Sequence, residues 1–234
     1  MNAYFSGSYD MLASFLELGG PVVVILFVTS IVAAALVGLK LVQFSMLRVG
    51  RTGRAAKAVA LFKAGETDEA ETLVRTGRSA SASAVATAIR LSRRGDLAKS
   101  DIEEEIGRIA LVRLHSLEGG FRFLDICVQL APLLGLFGTV LGMIDAFQKL
   151  QGAGSSVDPS ILAGGIWVAL LTTAAGLAVA MPVSLVLTYL EARVEKERVA
   201  IETMASEILS PALRSPRDPR QQAPLRPVEL RHAT

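Results

Sequence analysis

Two threonines are the residues in this sequence whose type and spacing could do chemistry. Thr139 belongs to the set Val128, Pro132, Gly135, Thr139, Gly142 and Ala146, spaced four, three, four, three and four residues apart. Thr173 belongs to Gly165, Ala169, Thr173, Gly176 and Ala180, spaced four, four, three and four apart. Steps of three and four put each set on one helix face. Gly138 and Gly142 add a GxxxG spacing beside the first set, and Thr172 adjoins the second. A hydroxyl donates and accepts, so such a face could hold a carboxylate or a water and pass a proton. It could equally be a packing seam, with each hydroxyl turned back to a carbonyl of its own helix. The residues alone leave both readings open.

The elements that must position these faces are set out by the charges. Of 234 residues, 24 are Lys or Arg and 22 are Asp or Glu, a net charge of +2. This balance gives no reason to expect nucleic acid as a partner. The charges leave three long gaps: 22 residues from Leu18 to Leu39, 19 from Ile126 to Ile144 and 32 from Pro159 to Leu190. Nineteen residues of helix reach about 28 Å, close to the ~30 Å hydrocarbon core of a bilayer. The third gap would reach about 48 Å, so it must tilt or continue beyond the lipid. The expected fold is an all-α integral membrane protein with three transmembrane helices and long cytoplasmic helical extensions. A soluble enzyme is excluded, and so is a disulfide scaffold, since Cys127 is the only cysteine.

No Asp, Glu, Lys, Arg or His lies inside any of the three gaps. A proton carrier, if one is needed, must therefore come from another chain. Asp145 and Asp125 flank the second gap and are either pore-mouth residues or plain helix ends. The acidic run Glu103-Glu104-Glu105 reads as a solvated face, because no second ligand cluster accompanies it. No metal or cofactor is called for.

Basic residues set the orientation. Lys40–Arg122 holds 15 of them and Glu191–Thr234 holds 8, whereas Asp145–Asp158 holds only Lys149 and Met1–Leu18 none. The positive-inside rule puts the N-terminus outside and the C-terminus in the cytoplasm. The expected order is a periplasmic N-terminus (1–18), transmembrane helix 1 (19–39), a cytoplasmic helical domain (40–122) and transmembrane helix 2 (123–146). A short periplasmic loop (147–159), transmembrane helix 3 (160–190), a cytoplasmic helical extension (191–213) and a basic, Pro-rich, disordered tail (214–234) follow. The N-terminus has no basic n-region and reads as a retained helix, with Gly19-Gly20-Pro21 as the break before it. Within 40–122, Arg54–Lys63 is a helix ending at Gly65, and Thr67-Asp68-Glu69 starts another with a hydroxyl cap and an acidic first turn. Ser79–Ser83 reads as a linker, and a further helix runs from about Ser100 to His115. Gly119-Gly120 loosens its join to the second membrane helix. The basic tail could touch anionic membrane lipid.

The stretch Ala131-Pro132-Leu133-Leu134-Gly135-Leu136-Phe137-Gly138-Thr139-Val140-Leu141-Gly142-Met143-Ile144 closely resembles the second-helix signature of the MotA/TolQ/ExbB proton-channel family. Ala169-Leu170-Leu171-Thr172-Thr173-Ala174-Ala175-Gly176-Leu177, through Met181-Pro182, resembles the third-helix signature. Together they span residues 131–182, roughly a quarter of the chain, and three spans rather than four resemble the ExbB/TolQ branch. The resemblance implies a bacterial inner-membrane homo-oligomer, a pentameric ring around the helices of an ExbD/TolR-like single-span partner. That partner would supply the membrane Asp, and a TonB-like or Tol-Pal component would receive the work. By resemblance, Thr139 and Thr173 match pore-facing threonines, with Pro132, Gly135, Gly138, Gly142, Gly165, Ala169, Gly176 and Ala180 packing the pore helices. One position departs from the pattern. Many ExbB-type members carry a carboxylate five residues before the matching threonine, and here Val168 stands there, preceded by Trp167. Trp167 suits an interfacial or lipid-facing anchor. The contrasting expectation is an oligomeric membrane scaffold that packs through the same faces without conducting protons.

Overall fold

The computed structural model describes residues 2–152 and 159–210. The expected loop centre and the Pro-rich tail lie outside these residues. Among the described residues there are seven helices and no strand: α1 (Asn2–Leu47), α2 (Gly53–Lys63), α3 (Thr67–Arg75), α4 (Ala80–Arg94), α5 (Lys99–Glu118), α6 (Phe121–Gly152) and α7 (Pro159–Ile208). Three stretches are long and apolar enough to cross a membrane, in α1, α6 and α7.

Gly20 interrupts α1 with φ 62 and ψ −164, a backbone state that costs glycine little, and Pro21 follows it. The break falls at the Gly-Gly-Pro sequence expected to carry it. α7 passes through Pro182 as one 50-residue helix. At 1.5 Å per residue it spans about 75 Å, so it outruns any bilayer and reaches into the polar part of the molecule. α5 and α6 follow each other across Gly119 and Gly120, the latter at φ 87. This confirms the loosened join between them.

α6 and α7 pack antiparallel: Gly165 meets Ala146, Gly142 meets Ala169, Gly138 meets Thr172, and Gly176 meets Ala131. α1 covers one side of this pair, where Val22 and Leu26 cluster with Leu134, Ala175 and Val179. Lower down, Lys40 donates from Nζ to the Leu117 carbonyl (3.0 Å) in the last turn of α5. Phe44 stacks obliquely on Phe121, with ring centroids 6.1 Å apart.

The polar domain wraps the far end of α7. Its core joins Ala55, Ala58, Val59, Ala70, Val74, Val85 and Ile89 to Val194, Ile201, Met204 and Ile208. Two local expectations need correction. Ser79–Ser83 is not a linker: Ser79 is the N-cap of α4, accepting from the Ala82 N–H, and Gly95 ends that helix at φ 71. The Ser-Ala alternation hides a helix because its buried face is made of Ala and Ser as well as Val and Ile. Thr67 is not a cap. It is the first residue of α3, after Glu66, and Asp68 and Glu69 supply the acidic first turn.

Glu197 is the least expected core residue, fully buried within α7. Its Oε1 accepts from the Ser81 N–H (2.9 Å) and Ser81 hydroxyl (2.9 Å), and its Oε2 accepts from the Gly50 N–H (3.0 Å). The N-terminus of α4 thus meets a negative charge, as its dipole favours. A buried carboxylate with three donors is satisfied without a cation.

Candidate functional site

The α6–α7 seam is close because it lacks side chains. A Cβ on Gly135 would stand 2.8 Å from the Thr172 carbonyl oxygen, and one on Gly138 would stand 2.7 Å from Thr172 Oγ1. A Cβ on Gly142 would approach that of Ala169 to 3.1 Å, one on Gly165 would overlap that of Ala146, and one on Gly176 would overlap the Ala131 carbonyl. In lipid this is the means of helix association: no solvent drives it, so backbones must come near enough for dispersion to act.

The expected residues divide within this seam. Gly135, Gly138, Ala169, Gly176 and Ala180 are buried in it, with Gly142 and Gly165 half-buried. Pro132 and Thr139 lie at its edge, half-buried. Thr172, which only adjoined the expected set, is the hydroxyl at its centre. It is buried and donates to the carbonyls of Ala169 (2.7 Å) and Gly135 (3.1 Å). Thr173 is half-buried and donates across the seam to the same Gly135 carbonyl (3.2 Å). Thr139 turns back to the Leu136 carbonyl (2.6 Å) of its own helix. The reading of a packing seam therefore describes Thr172 well and also fits Thr139, whose hydroxyl turns back to its own helix, while Thr173 bonds across the seam from its edge.

Thr139 and Thr173 flank the seam on one side. At 100° per residue, Thr139 lies about 60° from the centre of the buried α6 stripe, and Thr173 about 60° from that of α7, both in the direction of increasing angle. In an antiparallel pair, equal offsets in that direction meet on the same side of the seam. Leu134, Ala175 and Val179, which α1 covers, have offsets of the opposite sign. So the two threonines occupy the side of the α6–α7 pair that α1 leaves open. Val168, half-buried, lies about 140° around α7 from Thr173 and is not part of this face. Trp167 is exposed, 68% of its surface being accessible, as an interfacial anchor would be.

The two aspartates stand at opposite ends of α6. Asp145 pairs with Lys149 one turn on (2.8 Å), and both are exposed. Asp125 accepts from Gln129 Nε2 (2.8 Å) toward the polar domain. Among the described residues no cluster of His, Cys, Asp and Glu is arranged to hold a metal.

The sequence can be set against known proteins on this geometry. The MotA/TolQ/ExbB proton channel family matches residues 75–203, more than half of the chain. Biopolymer transport protein exbB1 of Vibrio cholerae is 42% identical over 84 residues, 36% of this chain and 37% of that protein. An ExbB homolog of Methanothermobacter thermautotrophicus is 36% identical over 104 residues, 44% of this chain and 36% of that protein. The Tol-Pal system protein TolQ of Haemophilus influenzae is 40% identical over 81 residues, 35% of each. The chain thus spans about a third of the length of these relatives. With its three membrane-spanning candidates and its glycine-packed pair of signature helices, the chain is a multi-pass membrane protein that belongs to the MotA/TolQ/ExbB proton channel family, on its ExbB/TolQ-like side.

Proposed function

We propose that this chain is the ring-forming subunit of a proton-motive-force-driven motor in the bacterial inner membrane, with its N-terminus periplasmic and its polar domain cytoplasmic. Five copies would surround the single membrane helices of an ExbD/TolR-like partner, each copy turning the Thr139–Thr173 side of its α6–α7 pair to the bore. The observation that carries this reading is that side itself. It holds two hydroxyls, α1 leaves it uncovered, and no charged residue lies within the spans. A bore without a titratable group needs one from the partner, an Asp whose proton the hydroxyls receive directly or through water. Moving one charge across 100 mV yields about 2.3 kcal/mol, enough to bias a step of the partner. The work would pass to a TonB-like or Tol-Pal component. Asp125 and Asp145 would mark the cytoplasmic and periplasmic mouths.

The scaffold reading draws on the Thr139 hydroxyl, already satisfied by its own helix. Co-expression with a single-span partner encoded beside it, followed by intact-complex mass measurement, tests the ring. Proton-gradient-dependent energisation tests the chemistry: Thr139→Val and Thr173→Val should each lower it, and replacing the partner's membrane Asp with Asn should abolish it. Full energisation in both threonine variants would favour the scaffold.

A further inference from the structure

α1 and α7 run in the same direction, Val22 clustering with Ala180 and Gly50 lying against Arg193. Toward the polar domain they carry the same order of side chains. On α1, Leu41, Ser45 and Arg48 stand at steps of four and three, on one helix face. On α7, Leu185, Tyr189 and Arg193 stand at steps of four, again on one face. Each reads apolar, hydroxyl, arginine. The two faces meet at a cleft of about 180 Å³, to which Arg51 adds a third guanidinium. Arg48, at φ 52, is the one non-glycine residue of positive φ among the described residues. Its N–H donates to the Ser45 carbonyl (3.2 Å) and that of Val49 to the Phe44 carbonyl (3.1 Å), a helix end at which glycine usually stands. Arg193 lays its stem on Gly50, where a Cβ would come within 2.9 Å of Cδ. Its Nη2 donates to Tyr189 Oη (2.6 Å), which leaves the phenol proton to be donated elsewhere.

No carboxylate lines this cleft, and among the described residues none pairs with the three arginines. Glu197, nearby, accepts from Gly50 and Ser81 instead. A second cleft along α7 differs. Glu118, Glu191 and Glu195 line it with Arg122 and Arg198, and Arg198 pairs with Glu118 (3.1 Å) and Glu195 (3.5 Å). Charge is balanced there and uncompensated between α1 and α7.

We infer that Arg48, Arg51 and Arg193 hold the phosphate of an anionic glycerophospholipid in the leaflet next to the polar domain, with its acyl chains along Leu41 and Leu185. The depth fits: Arg193 lies three residues past Leu190, the last of the uncharged run, about 4.5 Å along the helix and within a headgroup layer roughly 5–8 Å thick. Leu41 and Leu185 are exposed above it, 43% and 73%, as a surface covered by hydrocarbon would be. Guanidinium forks match phosphate oxygens, and the Tyr189 hydroxyl adds a neutral donor. Three cations without an acid favour a headgroup of net negative charge over one that carries its own cation. The site is independent of proton conduction.

The test titrates the whole chain, in a neutral detergent, with dioleoyl phosphatidylglycerol and separately with dioleoyl phosphatidylcholine, and reads retained lipid by native mass spectrometry. The wild-type chain should retain phosphatidylglycerol in preference. Arg51→Gln and Arg193→Gln should each lower its affinity about fivefold, the factor one basic residue contributes near an anionic surface. Lys196→Gln, exposed and outside the cleft, should leave it unchanged. Arg48→Gly separates the site from the fold. It should raise the thermal unfolding temperature without lipid, because glycine takes the left-handed state without strain, and yet weaken retention as the other two do. Equal retention of the two lipids overturns the proposal, as does Arg48→Gly or Arg193→Gln retaining phosphatidylglycerol as the wild type does. So does Lys196→Gln weakening retention as much as Arg193→Gln, which would show diffuse charge and no site. Millimolar inorganic phosphate should not displace the lipid. Complete displacement would assign the cleft to a soluble phosphate and overturn the lipid.

Discussion

The membrane seam and the Glu197 junction bring helices together by opposite means. In the seam, α6 and α7 touch because Gly135, Gly138, Gly142, Gly165 and Gly176 offer no side chain. At the junction, α7 meets α4 and the α1–α2 turn through a long side chain that accepts three hydrogen bonds. Lipid cannot stabilise a buried charge and offers no hydrophobic drive, so a membrane contact is made by removing atoms. The polar domain has an aqueous reference state, so a charge with enough donors can be its fixed point.

If that contrast holds, the seam should tolerate added volume least. Gly176→Val drives a side chain into the Ala131 backbone, which cannot yield as a flexible side chain would. Overpacking costs about 1–3 kcal/mol or more, and we expect this variant to lose the folded pair, read as failure to give a monodisperse species in detergent. The junction should be lost next. Glu197→Ala leaves the Ser81 and Gly50 donors unpaired and should cost about 3 kcal/mol. Glu197→Gln, which keeps one acceptor, should cost less, with thermal unfolding and proteolysis between α3 and α4 as the measures. Thr172→Val removes a hydroxyl without changing shape and should cost about 1 kcal/mol, since measured hydrogen bonds between membrane helices average ~0.6. A loss larger than that of Glu197→Ala would break the comparison. Ser79→Ala removes the α4 cap beside the junction and should also cost about 1 kcal/mol in thermal unfolding.

The smallest effect should come from the surface pair Arg108 and Glu105. The hydrogen bond from Arg108 holds the Glu105 carboxyl below its ordinary range. A carboxyl lowered on folding contributes stability that is present above its unfolded pKa and lost as pH falls through the folded one. Solvent screens this pair, so Glu105→Gln should leave Tm unchanged at neutral pH. A measurable drop would show that surface charge, and not the junction, holds the polar domain.

The legible parts of this molecule share one property: each is a pattern that the chain carries locally. The three charge gaps mark the spanning stretches, and Gly20 breaks α1 where Gly-Gly-Pro stands. The small-residue stripes of α6 and α7 do face each other. α4 was hidden because alanines and serines fill most of its buried face and blur the apolar period that Val85 and Ile89 mark, although Ser79 and Gly95 stand at the cap positions. Glu197 left a signal that composition obscures. It sits three or four residues from the buried Val194 and Ile201, on the stripe that α7 turns to the core.

The sequence by itself determined that this chain has three apolar stretches long enough to cross a membrane, with no ionisable group inside any of them. Length and the cost of charge in hydrocarbon decide that without reference to any contact. Only the tertiary structure decided that Thr172 is the hydroxyl locked in the seam, while Thr173 and Thr139 stand beside it on the side that α1 leaves open. Neighbouring residues differ by 100° around a helix. On a helix with small residues on more than one face, only the partner helix can say which of two adjacent threonines points inward.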